Sequence, residues 1–392
     1  MPIPYLLTTL LYAFIALLAA ADASLVSFNL VNTFPALRWV RVHFITLGIL
    51  SQVIFGLLPV LVASLSKKER PSMRWDIWLT LNVGFVSLVA GFSGVNHPMI
   101  FTGGMLIFIS ALLLLFQLWS IRGGGTPASS KFYITGVLYL LLGIIIGTGL
   151  FLNWSDVLHI KIPLEVHIHA NSWGFMSLVF AGLLIDFVPM ITGHSLGTSK
   201  SISFIYWGMT IGAFGLVLGP WLGGSLPPTA VGLVAHVSAT LTLIVLMIRA
   251  FKESGRLNKA GVWHLVSSYI WIIAPISMAP FIMFGVFENG PIEGTAPQAL
   301  IYGWILQFGI ALIPYIFRRF FLKEQNPQLG GSWMSLAAAT TGSLLVWASI
   351  FIVPARGVLF GVGFILYALA LIPLLTSLLE IARDGLEKVS TA

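Results

Sequence analysis

Residues 166–193 read VHIHANSWGFMSLVFAGLLIDFVPMITG, an apolar run that opens on two histidines. Its length predicts a membrane-spanning helix. His167 and His169 stand where that helix enters the bilayer. At about 100° per residue, side chains two apart leave a helix in nearly opposite directions, so the two imidazoles address different neighbours. Ionisable groups in a span are costly and mark candidate function. The plainer expectation is a pair of interfacial histidines bonded to headgroups or loops.

The rest of the chain has the same character. Of its 392 residues, 58% are hydrophobic and 8% charged. A soluble domain of this length cannot be built with so few charges, which predicts an all-α polytopic membrane protein and a single integral membrane domain. Apolar runs fall near 4–24, 39–65, 76–96, 97–120, 132–153, 165–190, 202–222, 229–250, 263–286, 296–317, 333–353 and 357–380. That makes twelve expected spans, with connections too short for a soluble domain. The first run lacks a basic leader and merges into a span, so no cleaved signal is expected. The absence of cysteine excludes disulfides, thiolate metal sites and cysteine nucleophiles. The net charge of +7 reports topology, not nucleic-acid binding.

With both termini inside, sixteen basic residues fall on the inner side: Lys67, Lys68, Arg70, Arg74, Arg122, Lys131, Lys200, Arg249, Lys252, Arg256, Lys259, Arg318, Arg319, Lys323, Arg383 and Lys388. Only Arg38, Arg41, Lys161 and Arg356 remain outside, a positive-inside bias. In this frame six of the eight histidines (His43, His97, His159, His167, His169 and His236) lie toward the outer face. His194 and His264 fall at the inner face. None of the thirteen acids sits near the middle of a span; Asp76 and Asp186 lie toward inner ends, Asp22 and Glu165 toward outer ends. Proton pumping is therefore disfavoured, while simple proton uptake stays open.

A repeat sharpens the histidine pattern. Span 2 carries His43, Gly48 and Gly56-Leu57-Leu58, and span 6 carries His169, Gly174 and Gly182-Leu183-Leu184. Both fit H-x4-G-x7-G-L-L. Span 10 enters the frame with Gln298 in the histidine slot, then Gly303 and Ala311-Leu312-Ile313. The anchors lie 126 and 129 residues apart, about four spans each. Three related four-helix arcs around a pseudo-threefold axis are expected. His43 and His169 then reach one depth, and opposed imidazoles are an arrangement that ligates haem iron. The small residues below them are expected to leave room for a flat macrocycle. His167 and His236 are expected at a second centre, copper or another haem. Arg38, Arg41 and Arg356 are placed to clamp haem propionates, or simply to snorkel.

At this point the residues resemble a known family. His167-Ile168-His169 followed by Trp173-Gly174-Phe175, Ala181-Gly182-Leu183-Leu184, Pro189 and Thr192-Gly193 resembles a motif helix of the NnrS family of membrane haem- and copper-associated proteins linked to nitric oxide stress. Arg41-Val42-His43-Phe44-Ile45-Thr46-Leu47-Gly48 resembles a second histidine helix of that family. More distantly, the architecture is similar to subunit I of the haem–copper oxidases and nitric oxide reductases. That likeness implies His43 as a low-spin haem ligand and Arg356 as a propionate partner. Ala170 stands where the NnrS pattern has glutamate, and span 10 lacks the oxidase histidine pair, so the resemblance favours haem over copper. It implies a membrane-embedded protein, in a prokaryotic plasma membrane, that binds or reduces a small gas such as nitric oxide or O2. Electrons would come from quinol or a cytochrome subunit. The alternative expectation is a twelve-span secondary transporter with histidines in its substrate or proton path, although such proteins usually show two related halves and mid-membrane polar sites.

Overall fold

A computed structural model describes residues 2–33, 36–121 and 127–390. Arg122, one of the inner-side cations named above, lies outside the described residues. Among the described residues there is no strand, and twelve helices are long and apolar enough to cross a membrane. They are α1 (Ile3–Ser27), α2 (Leu37–Leu65), α3 (Trp75–Ser93), α4 (His97–Ile121), α5 (Ser130–Leu152) and α6 (Pro163–Thr192). The remainder are α7 (Ser199–Trp221), α8 (Leu226–Glu253), α9 (Ala260–Met283), α10 (Gly290–Phe320), α11 (Trp333–Phe351) and α12 (Val353–Lys388). Such a chain is an integral membrane protein in contact with lipid.

Burial separates these helices into two kinds. The central stretches of α2 and α6 are 89% buried and that of α10 is wholly buried, against half or less elsewhere. The three share two irregularities. Each contains a proline, Pro59, Pro189 and Pro314. Each also opens into a π-helical segment, at Phe44–Leu50, Ala170–Met176 and Ile301–Leu306. Single π turns inside α-helices are uncommon and concentrate at functional sites.

The chain divides into two compact units, residues 1–57 with 257–392 and residues 58–256. In the first, α12 packs on both α11 and α1, α1 packs on the π segment of α2, and α10 packs on α9 and α11. The α11–α12 hairpin closes through glycines: a methyl at Gly342 would stand 2.9 Å from the Gly363 carbonyl oxygen, and one at Gly363 would stand 3.1 Å from that of Gly342. α9 is broken at Tyr269 and Met278, beside Pro275 and Pro280, which cannot continue the helical ladder.

In the second unit α3 packs on α4, α4 on α5, α5 on α6, and α7 on α8. The same glycine device recurs. A methyl at Gly103 would meet the Gly84 carbonyl oxygen at 2.7 Å, and one at Gly232 would meet the Leu216 nitrogen at 2.6 Å. Lipid offers no hydrophobic drive between helices, so backbone-to-backbone approach through small residues holds such hairpins. The turns are correspondingly short. Val95 takes a left-handed φ of 50° between α3 and α4, and Gly223 and Gly224 (φ 86° and 87°) turn the chain between α7 and α8.

Candidate functional site

The motif glycines do not leave open space. A methyl at Gly48 would meet Tyr12 of α1 at 3.2 Å. One at Gly174 would overlap the Tyr139 ring of α5, and one at Gly303 the Trp271 ring of α9. In each case an aromatic side chain of the preceding span is seated on the glycine. The expected room for a macrocycle against these glycines is thus filled, because a glycine in a close-packed bundle is used by its neighbour.

In the second unit, His167 and His169 diverge as their spacing requires. His167 Nδ1 lies 2.8 Å from the Gly143 carbonyl oxygen of α5, and its ring covers Gly147, where any Cβ would overlap it. Asn171, one turn on, donates to the His167 carbonyl at 2.8 Å and seats its amide on Gly143. His169 turns to α7, where Nδ1 lies 2.6 Å from the Leu216 carbonyl oxygen. Pro220 explains why that carbonyl receives a side chain. It stands four residues after Leu216 inside α7 and has no N–H to return to it.

A carbonyl oxygen only accepts, so Nδ1 carries the hydrogen in both rings. The neutral imidazole then bears its lone pair on Nε2. This is the arrangement found behind metal-ligating histidines, where a hydrogen bond at the other nitrogen fixes tautomer and orientation. Both rings are half-buried.

His236 of α8 is fully buried and differently placed. Its Nε2 lies 3.1 Å from Ser177 Oγ and its Nδ1 3.3 Å from Thr240 Oγ1. Its ring meets Trp173 edge to face at 5.5 Å, and Trp173 lies 6.3 Å from the His169 ring on its other side. The structure therefore brings His236 alongside His169, with Trp173 between them, and turns His167 toward α5.

In the first unit, His43 Nδ1 lies 2.8 Å from the Trp39 carbonyl oxygen, and its ring stacks on the Trp39 indole at 4.1 Å and 14°. Its tautomer follows by the same argument. Arg38 donates to the Gly294 carbonyl of α10, and Arg356 donates to the Ser349 carbonyl at 3.2 Å. Arg41 instead lies over the Phe364 ring at 4.7 Å, and its buried Nε has no hydrogen-bond partner.

The other histidines stand apart. His97, His159 and His194 are exposed, and His194 lies 3.8 Å from Glu253. His264 is buried, with Nε2 2.9 Å from Ser335 Oγ. Among the described residues no three histidine or carboxylate side chains come together to hold a metal ion. A three-ligand copper site needs such a cluster; a single histidine ligand to haem iron does not. Sequence reasoning missed Trp39 and gave Trp173 only as a motif residue, although each lies one helical turn from its histidine, at i−4 and i+4. No family model matches the chain, and no curated protein is similar to it.

Proposed function

We propose that this is an integral membrane haem protein in which His43, in the first unit, and His169, in the second, each serve as an iron ligand. One observation supports the reading above the rest. In both side chains Nδ1 is tied to a backbone carbonyl, at 2.8 and 2.6 Å, so that Nε2 is the ligating nitrogen of a ring held at a fixed angle. Haem iron, when bound, would supply electron transfer and coordination of a small diatomic gas. Nitric oxide is the gas the NnrS-like motifs favour. The chain's own contribution is ligand orientation, a water-poor setting from Trp39 and Trp173, and guanidinium donors for a propionate, among them the buried, unbonded Arg41 Nε. The filled glycine faces argue against a macrocycle lying on Gly48 or Gly174, so no seat is assigned there. His167, anchored in the same manner, is the candidate for a further ligand; copper finds no ligand cluster.

The same reading takes the chain as three related four-helix arcs with both termini inside and the histidines toward the outer face. The three π segments of α2, α6 and α10 and the glycine-closed α3–α4, α7–α8 and α11–α12 hairpins support the arcs. The basic-residue bias supports the orientation. The test is the visible spectrum of His43→Ala and His169→Ala. Each is expected to lose the low-spin bands, and retention of normal bands in both overturns the ligand assignment.

A further inference from the structure

Asp186 lies deep in the apolar stretch of α6, between Ile185 and Phe187, and is 8% exposed. A carboxylate in such a setting costs several kcal/mol unless a cation or a set of donors compensates it. Among the described residues no Lys, Arg or His nitrogen lies within 4.0 Å of it; the ion pairs of this chain are formed elsewhere. Its partner is neutral. The Tyr133 phenol of α5, itself fully buried, donates to Asp186 Oδ2 at 2.5 Å. The Ser129 side chain, just before α5, is buried as well.

Lys131, Tyr206, Arg249 and Glu253 on the neighbouring helices are otherwise engaged, and Lys200 and Lys252 are exposed. Lys131 holds its amine 4.4 Å from the centre of the Tyr206 ring, and the Tyr206 hydroxyl pairs with Thr135 at 2.9 Å. On α8, Arg249 is bonded to Glu253 at 2.7 Å, and Glu253 also faces His194 at 3.8 Å. None of these supplies the missing positive charge.

We infer that Asp186 is a proton-binding site, a buried carboxyl that takes up and releases a proton while hydrogen-bonded by the Tyr133 phenol, at the end of the second unit where the basic loops gather. With Oδ2 accepting from Tyr133, the bound proton forms its O–H bond at Oδ1, and the phenol keeps its own. No electron moves, and no co-reactant is needed. The site gives the protein an acid that exchanges protons with the aqueous phase on that side, whichever chemistry the histidines serve. It does not rest on the haem reading.

Infrared spectroscopy of the full chain in lipid vesicles tests it, with Asp186→Asn and Tyr133→Phe. The wild type is expected to show a protonated-carboxyl C=O band that grows on acidification and disappears on alkalinisation. Asp186→Asn is expected to lose that band, and Tyr133→Phe to keep it at a shifted position. If Asp186→Asn does not fold, the shift in Tyr133→Phe carries the test. A pH-dependent carboxyl spectrum unchanged by either substitution overturns the proposal. So does a carboxylate band at Asp186 that responds to Na+ or K+, which would make this a cation site instead.

Discussion

Replacing Pro220 by alanine separates a ligand's orientation from the stability of its scaffold. In the native helix the Leu216 carbonyl lacks its i+4 N–H because residue 220 is proline, and His169 Nδ1 occupies it at 2.6 Å. Alanine restores the N–H. The helix gains a backbone bond worth about 0.5–1.5 kcal/mol and loses a residue that strains helical interiors. The contacts of the Pro220 carbonyl with Ile162 and Gly223 do not involve the ring and persist. Stability is therefore expected to hold or rise. His169 must now share its acceptor, and its ring loses its fixed angle. Loss of such a supporting bond typically costs about 10–100-fold in metal affinity. That factor is about 1.4–2.8 kcal/mol. The assay is haem retention against a competing apoprotein, measured beside thermal unfolding in detergent. Opposite movements, with haem held more weakly by a protein at least as stable, are the expected signature. Unchanged haem affinity in a folded Pro220→Ala protein would refute the supporting role of the Leu216 carbonyl.

Gly232→Val is expected to destabilise the α7–α8 hairpin by about 1–3 kcal/mol, because the new side chain meets backbone, not a yielding side chain; thermal unfolding of the purified protein reads it. His236→Ala is expected to cost about 2–4 kcal/mol through vacated volume and the orphaned Ser177 and Thr240 hydroxyls, yet to leave the low-spin bands in place. Loss of those bands in a folded His236→Ala protein would promote that histidine from a packing role to a ligand.

Much of the fold is legible in the chain itself, because spanning lipid demands long apolar runs and this sequence separates them cleanly. The special standing of α2, α6 and α10 is legible too, through the shared histidine or glutamine, glycine and leucine offsets. The π segments are not. No residue pattern in Phe44–Leu50 or Ile301–Leu306 announces an extra residue per turn, and the packing of Tyr12 and Trp271 on Gly48 and Gly303 joins residues from different spans. The same contacts account for the failure of the expected macrocycle room, since sequence reveals a missing side chain but not what fills its place. At the site, the divergence of His167 and His169 follows from helical geometry alone. Their anchors do not. Gly143 and Leu216 offer only backbone oxygens, which carry no residue-type signal, and only Pro220 leaves a trace in the sequence. The Tyr133–Asp186 bond spans 53 positions and two helices, beyond the reach of any local pattern.

The most direct test of the central claim is the reduced-minus-oxidised visible spectrum of the purified protein, recorded with and without nitric oxide beside the His43→Ala and His169→Ala variants. The account predicts sharp reduced α and β bands in the wild type and their loss in each variant. A shift on adding nitric oxide would place gas chemistry at the iron. A colourless wild-type protein after supply of haem, or bands that survive in both variants, would contradict the assignment of His43 and His169 as haem ligands.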